Sequence, residues 1–308
     1  MLNQLPPPPP GKTGLPWTNE SDLLPPVQPD DQPWPRISIV TPSFNQGQYI
    51  EETIRSILLQ NYPNLEYIII DGGSSDNTYE IIKKYEPWIT YWVSEPDHGQ
   101  SHAINKGFEI CNGELVNWIC SDDILCQNAI YNFIQNTIVK SNVLYLGDWV
   151  LINESSATIR TGTNLIKNIE MLVDISGYWR NGASIAQQSA FYPLQAIRET
   201  NGLNSGNYYT MDYELWGDLL LAGCEIQNVH VQIGSFRTHP LQKTAMQFPV
   251  TLSLIESSIR LINKSNLKHR TKVSLILKNI NYLFWFSYHH LRSRIGIKRR
   301  FQVLWKRK

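Results

Sequence analysis

Short apolar runs alternate with amphipathic stretches through the first half of the chain. The runs that predict strands lie at residues 37–40, 67–70, 89–93 and 115–119. The stretches that predict helices lie at residues 49–60, 77–85, 101–110 and 127–139. Four β-α units in series predict an α/β fold, in which a doubly wound, mostly parallel sheet is flanked by helices on both faces.

Polar residues follow each of the four predicted strands, and three of these four segments contain carboxylates. The exit residues are Thr41, Pro42, Ser43, Asn45, Asp71, Asp97, Gln100, Asp122 and Asp123. In doubly wound sheets, ligands bind beyond the carboxyl ends of the strands. The turns at the opposite edge look ordinary, so this asymmetry predicts a functional site at the carboxyl edge.

The adjacent carboxylates of Asp122 and Asp123 admit two interpretations. They repel each other unless a cation lies beside them, and oxygen ligands of this kind suit Mg²⁺ or Mn²⁺. Alternatively, Ser121 or Asp122 caps a helix that begins near Ile124. The presence of Asp71 at a neighbouring strand end favours the metal site, because capping does not explain a carboxylate in the last position of a strand.

Both ends of the chain differ from its middle. Residues 1–35 contain 11 of the 18 prolines, which predicts an extended coil or polyproline II segment over the surface. Residues 257–308 contain 14 Lys and Arg and no acidic residue. We therefore expect a Pro-rich tail over 1–35, an α/β domain over 36–250 and a basic helical extension over 251–308.

Overall composition is that of a globular protein, with 42% hydrophobic and 18% charged residues and a formal net charge of zero. The four cysteines form no CxxC pair, and the N-terminus lacks the basic and apolar regions of a signal peptide. No run of about 20 apolar residues predicts a membrane span. These features favour a cytoplasmic protein.

Several motifs, in this order, resemble glycosyltransferase family 2, the inverting, nucleotide-sugar-dependent enzymes of GT-A fold. The matching segments are Ile39-Val40-Thr41-Pro42-Ser43-Phe44-Asn45, Ile69-Ile70-Asp71-Gly72-Gly73-Ser74-Ser75-Asp76, Asp97-His98-Gly99-Gln100, Ser121-Asp122-Asp123 and Met211-Asp212-Tyr213-Glu214-Leu215-Trp216. The resemblance covers roughly residues 36–240. It departs from the family pattern in reading Ser-Asp-Asp rather than Asp-x-Asp, and in Met211, where many members carry Glu.

The resemblance implies a role for each of these residues. Nucleotide-sugar binding falls to Thr41, Pro42, Ser43, Asn45, Asp71, Asp97, Gln100 and Asp122, with Asp71 on the base. Asp123 would bind a divalent cation, Mn²⁺ or Mg²⁺, and Asp212 would be the catalytic base. His239 is either a further metal ligand or a loop histidine before a proline. Glu214 is the rival base, and Gln188, Glu214 and Trp216 are expected on the acceptor side.

The implied reaction is transfer of a sugar from a nucleotide-diphosphate donor to a hydroxyl of a saccharide or lipid-linked acceptor, in polysaccharide or glycan synthesis. Two other functions stay open: a nucleotide-sugar-binding module without catalysis, and a nucleotidyltransferase. The latter is disfavoured because residues 41–48 contain no Lys or Arg to hold a triphosphate.

The basic C-terminal segment also has two interpretations. An apolar stripe with aromatic residues and bases over 273–291 is typical of a helix that lies on an anionic membrane. The alternative is a pair of helices that dock on the catalytic domain with their bases exposed. We expect no nucleic-acid partner, because no recognised nucleic-acid motif accompanies the charge.

Overall fold

The computed structural model describes residues 1–177, 185–240, 242–243 and 246–305. The predicted β-α units are present as β1 (Ile37–Ser43), α1 (Ile50–Leu58), β2 (Leu65–Asp71), α2 (Thr78–Tyr85), β3 (Tyr91–Ser94), α3 (Gln100–Ile110), β4 (Leu115–Trp118) and α4 (Ala129–Gln135). A short strand β5 (Ile124–Leu125) lies between β4 and α4. The local apolar periodicity therefore placed these elements to within a few residues.

The second half of the chain adds strands in both directions and the remaining helices. These are β6 (Val143–Ile152), β7 (Thr158–Thr163), α5 (Ile169–Val173), β8 (Ala190–Pro193), α6 (Leu194–Glu199), α7 (Met211–Leu221), β9 (Glu225–Arg237), α8 (Gln247–Lys264) and α9 (His269–Trp305). Strands β6 and β9 are parallel to each other, and β7 and β8 are antiparallel to β6. The strand order is β3-β2-β1-β4-β8-β6-β9-β5, and β7 pairs with the second half of β6, beyond the residues that pair with β8. The first four strands in this order are mutually parallel.

The sheet has an apolar core on each face. Val40, Ile68 and Trp118 face α3, α7 and α8, whereas Ile39 and Ile69 face α1, α2 and α4. Parallel strands that are covered by helices on both sides read as continuous apolar runs, which is why the runs were visible in the sequence. The strand ends are level, since Ser43 pairs with Asp71 and Asp71 pairs with Ser94.

The Pro-rich segment 1–35 is coil apart from one 3₁₀ turn, and it packs on the domain through α1. The guanidinium of Arg55 is buried and donates hydrogen bonds to the carbonyl oxygens of Pro6 (2.8 Å), Pro16 (2.8 Å) and Trp17 (2.9 Å). Leu5, Trp17, Leu24 and Trp34 are buried. The segment thus supplies the acceptors that a buried cation requires.

At the other end, α8 and the first half of α9 pack against the catalytic domain. The buried amide of Asn279 donates to the carbonyl oxygen of Val173 (2.8 Å) and to Ser258 Oγ (3.0 Å). Farther along α9, Phe284, Tyr288 and Leu291 are exposed. Among the helices that the structure describes, none has the length and apolarity to cross a membrane.

Candidate active site

The acidic motif Ser121-Asp122-Asp123 lies in a tight turn between β4 and β5. Thr53 Oγ1, on α1, donates to the carbonyl oxygens of Ser121 (3.0 Å) and Asp123 (2.7 Å), which fixes the turn. No helix begins at Ile124, since β5 starts there and α4 begins only at Ala129. The capping interpretation of Asp122 is therefore wrong, and the two carboxylates are available for another role.

His239 joins this motif from the end of β9. Its Nε2 atom lies 2.9 Å from Asp122 Oδ2, and its ring packs against Tyr49. Asp123 is 3% exposed, and its Oδ1 accepts the backbone N–H of Arg237 (2.9 Å). His239 and the adjacent pair Asp122 and Asp123, which are distant in sequence, are thus held together at the carboxyl edge of the sheet.

The chemistry of this cluster fits a hard divalent cation. Ligand atoms of Cys120, Asp122 and Asp123 lie within 4.8 Å of one another. Burial and the adjacent Asp122 raise the pKa of Asp123 well above its usual range, whereas the backbone N–H and the charge of Arg237 oppose this shift, so a cation beside Asp123 would favour its ionised form. Burial also raises the pKa of the Cys120 thiol, which leaves the carboxylate oxygens of Asp122 and Asp123 as the ligands that suit Mn²⁺ or Mg²⁺.

A buried arginine braces the acidic turn. Arg237 Nε donates to the carbonyl oxygen of Asp122 (2.6 Å), and Nη2 donates to Glu52 Oε2 (3.1 Å). Its Nη1 atom reaches Ser156 Oγ (2.9 Å), and its guanidinium stacks 4.9 Å from the ring centre of Tyr49. Arg237 therefore ties α1 and the β6–β7 turn to the backbone that presents Asp122 and Asp123.

Asp71 lies in a cradle of serines at the end of β2. It is fully buried and accepts hydrogen bonds from Ser74 Oγ (2.5 Å), the Ser74 N–H (3.0 Å) and Ser94 Oγ (2.6 Å). Asn45 supports the same loop, because its N–H donates to Ser74 Oγ and its Oδ1 accepts from the Ser75 N–H. The side chain of Ser43 is buried, and its Oγ has no partner among the described residues.

The other residues of β1 that were predicted to bind the nucleotide are part of the sheet. Thr41 is fully buried, and its hydroxyl lies 3.2 Å from that of Tyr67 inside the helix-covered core. Pro42 is buried and pairs in register with Ile70. Thr41 therefore shapes the strand and presents no hydroxyl to a ligand, whereas Ser43 ends the strand beside Asp71.

Asp97 and Gln100 reach the site from the start of α3. Asp97 Oδ1 accepts the Gly99 N–H (2.7 Å), and a Cβ atom at Gly72 would lie only 2.7 Å from its Oδ2. The carboxylate thus rests against the backbone that follows Asp71. Gln100 Nε2 donates to Cys120 Sγ (3.1 Å), which connects α3 to the acidic motif.

Asp212 occupies the first turn of α7. Its Oδ1 accepts the N–H of Tyr213 (2.8 Å). Burial raises the pKa of Asp212, and backbone hydrogen bonds and the nearby Lys243 ammonium oppose this shift. A partly buried carboxyl with a raised pKa is the environment expected of a general base.

The structure corrects the acceptor-side expectation. Glu214 is 5% exposed and faces α8, where it accepts from Asn204 Nδ2 and Ser257 Oγ and pairs with Arg260. Trp216 is 2% exposed and donates to the hydroxyl of Tyr192 (2.8 Å). Gln188 is buried where β4 and β9 approach. All three side chains are thus packed inside the domain in this structure, and the carboxylate of Glu214 is occupied by Asn204, Ser257 and Arg260.

The sequence analysis did not single out two cations that lie near the acidic turn. Arg237 is the last residue of β9, two residues before His239. Lys243 lies just beyond, and its Nζ donates to Gln100 Oε1 (2.8 Å). A basic residue inside an apolar strand, such as Arg237, can be noticed in the sequence as a candidate functional residue. A single lysine in a loop, such as Lys243, cannot.

With the geometry established, comparison with known proteins identifies the family. The model of "Glycosyl transferase family 2" matches residues 38–196, which is more than half of the chain. The chain belongs to glycosyltransferase family 2. An uncharacterized glycosyltransferase of Rickettsia typhi is 29% identical over 213 residues, which cover 68% of this chain and 66% of that protein. Against three other Rickettsia glycosyltransferases, the matched part spans 30% to 58% of their length.

Solved structures show the same fold for this family 2 chain. Staphylococcus aureus TarS (residues 1–349, with UDP-GlcNAc) has a TM-score of 0.61 at 14% identity and covers 82% of this chain and 73% of its own. A mannosyltransferase of Pyrobaculum calidifontis, in complex with GDP-Man and Mn²⁺, has a TM-score of 0.57 at 16% identity, with 86% and 73% covered. The expected GT-A fold is confirmed.

Proposed function

We propose that this chain catalyses metal-dependent, inverting transfer of a sugar from a nucleotide-diphosphate donor to a hydroxyl of a saccharide or lipid-linked acceptor. The observation that carries the proposal concerns two groups near one edge of the sheet. Asp122, Asp123 and His239 can hold a cation, and the carboxyl of Asp212 can act as a base close by. Lys243 connects them, because it bonds to Gln100 of the cluster side and acts on the pKa of Asp212.

The donor nucleotide is assigned to the cradle around Asp71. The fully buried carboxylate, held by Ser74 and Ser94, would accept the imide N–H of a pyrimidine base that replaces one of these serine contacts. The hydroxyl of Ser43 and the loop carrying Asn45 lie nearby, and Asp97 and Gln100 would contact the ribose or the diphosphate. In support, the structurally similar TarS is in complex with UDP-GlcNAc, whose base is a pyrimidine, and the similar mannosyltransferase is in complex with another nucleotide sugar, GDP-Man.

A divalent cation is assigned to Asp123 and His239, with Asp122 directed at the donor ribose or sugar. When bound, such an ion would neutralise charge on the diphosphate oxygens and fix their position. The chain itself prepares the site, because Arg237 holds the backbone of Asp122 and the carboxylate of Asp123 in place. The similar mannosyltransferase structure contains Mn²⁺.

Asp212 is assigned the proton transfer. The acceptor hydroxyl oxygen forms a bond to the anomeric carbon from the face opposite the diphosphate, which inverts that centre. The bond between this carbon and the terminal phosphate oxygen breaks, and its electron pair leaves with the nucleoside diphosphate. The proton of the hydroxyl passes to the Asp212 carboxylate, and no covalent sugar–enzyme intermediate is formed.

The place of action is proposed to be the cytoplasmic face of a membrane, in synthesis of a surface polysaccharide or glycan. Exposed apolar residues recur along one face of α9 at the spacing i, i+7, i+11 and i+14, namely Leu277, Phe284, Tyr288 and Leu291. The surrounding segment 257–308 has 14 bases and no acid. An apolar stripe among cations fits a surface of anionic lipid.

A panel of nucleotide sugars tests the proposal. The purified chain is incubated with UDP-, GDP-, dTDP- and CDP-linked sugars, with Mn²⁺ or with EDTA, and release of the nucleoside diphosphate is measured. We expect release from at least one donor with Mn²⁺ and its loss with EDTA. Binding of a donor without release under any condition would instead indicate a binding module.

A further inference from the structure

Lys243 is an unneutralised cation inside the candidate active site. Its Nζ donates to the amide oxygen of Gln100 (2.8 Å) and lies 4.0 Å from the ring centre of Tyr208. Among the described residues, no carboxylate oxygen lies within 4.0 Å of this ammonium, in contrast to Lys84, Lys264 and Lys278. Its two supports are a neutral amide and an aromatic face.

The surroundings make this arrangement costly unless an anion binds there. Burial lowers the pKa of Lys243, and proximity to Cys120 and Asp212 opposes the shift. A partly buried ammonium whose direct partners are neutral has lost water, and among the described residues no carboxylate is in direct contact with it to compensate. An anionic ligand that binds beside such an ammonium would supply the missing counter-charge.

The position of Lys243 limits which anion this is. Gln100 joins it to Cys120, and Cys120 lies within 4.8 Å of the ligand atoms of Asp122 and Asp123. The ammonium is also close enough to Asp212 for its charge to act on that carboxyl. Lys243 is therefore near both the Ser121-Asp122-Asp123 motif and the proposed base, and a diphosphate attached to a reacting sugar would have to lie near the same two groups.

We propose that Lys243 binds the diphosphate of the nucleotide donor and stabilises the negative charge that grows on the departing phosphate oxygen. This inference rests on the proposed function and adds a protein cation to the cluster of Asp122, Asp123 and His239. Tyr208 and Gln100 hold the ammonium in position before the donor arrives, so little ordering is required at binding.

The test isolates the charge of Lys243. Lys243→Gln keeps a donor for Gln100 but removes the charge, and Lys243→Arg keeps the charge. Isothermal titration calorimetry with Mn²⁺ measures binding of UDP, GDP, dTDP, CDP and ADP, and of the matching monophosphates. Lys83→Gln, at an exposed position of α2, is the control for loss of one positive charge.

For the diphosphate that the wild-type protein prefers, we expect Lys243→Gln to weaken binding by about 10- to 100-fold, the range of a charge-assisted hydrogen bond. The monophosphate should lose much less affinity, and Lys243→Arg should recover part of the loss. Equal binding by Lys243→Gln and wild type would overturn the role of Lys243. Binding of none of the five diphosphates by the wild-type protein would overturn the proposed function itself.

Discussion

Arg237 Nη2 and Glu52 Oε2 lie 3.1 Å apart, buried, although 185 residues separate them in the chain. Removing one partner of a buried ion pair leaves a charge without compensation, which typically costs about 3–5 kcal/mol. We therefore predict that Arg237→Met lowers the free energy of unfolding by about that amount, measured by urea denaturation. It should also weaken Mn²⁺ binding, since the acidic turn loses its brace.

A more exposed ion pair, which joins α2 to the helix that carries Glu52 (α1), provides the control. Lys84 Nζ lies 2.7 Å from Glu51 Oε1, and the lysine is 40% exposed. Exposed pairs are worth about 0–1 kcal/mol, so Lys84→Met should change stability little. If Arg237→Met were no more destabilising than Lys84→Met, the buried network would not have the structural role assigned to it.

A second prediction concerns the cation. Mn²⁺ at about 100 times its Kd should stabilise the wild-type protein by about 2.7 kcal/mol, seen as a rise in melting temperature. Asp123→Asn should abolish this rise. Without metal, the same variant should be at least as stable as wild type, because it removes a buried carboxylate beside Asp122 and keeps an oxygen for the Arg237 N–H.

The matched control here is Asp218→Asn, which removes a carboxylate paired with an exposed Lys264. It should keep the full Mn²⁺ response. An unchanged response in Asp123→Asn would place the ion elsewhere.

A third prediction follows from the raised pKa of Asp212. A general base acts in its ionised form, so activity falls as pH drops through its pKa. Because burial raises that pKa, the acid limb of kcat/KM should lie above about 3.9, the ordinary value for Asp. Lys243→Gln removes a charge that favours ionisation, and should move the limb to still higher pH. A limb that stays in place would show that Lys243 does not act on the base.

The first half of the fold was predictable because its information is local. Apolar runs that are buried on both faces mark the parallel strands, and the polar exits mark the edge where ligands bind. Residues of the second half depend on contacts that sequence spacing does not encode. Glu214 and Trp216 were expected near an acceptor, yet Glu214 is buried against α8 and Trp216 is buried against Tyr192 of β8. The role proposed for Lys243 depends on its contact with Gln100, which is 143 residues away in the chain.

A fourth prediction tests the membrane proposal. In co-sedimentation with vesicles, the chain should bind phosphatidylglycerol-containing vesicles and not pure phosphatidylcholine, and added salt should weaken the binding. Phe284→Ser with Leu291→Ser should reduce binding by about tenfold or more, since two exposed apolar side chains of α9 are lost. Ile138→Ser, at an exposed site outside α9, is the control. Equal binding by the α9 double variant would contradict contact through this face.

The most direct test of the account is the turnover of Asp212→Asn beside Glu214→Gln, with the donor found by the nucleotide-sugar panel. We predict that Asp212→Asn lowers kcat by about 10²- to 10⁴-fold while the Kd for the nucleoside diphosphate is unchanged. Glu214→Gln should mainly lower stability, because it weakens the contact with Arg260. Turnover retained in Asp212→Asn, or lost together with donor binding, would contradict the assignment of Asp212 as the base.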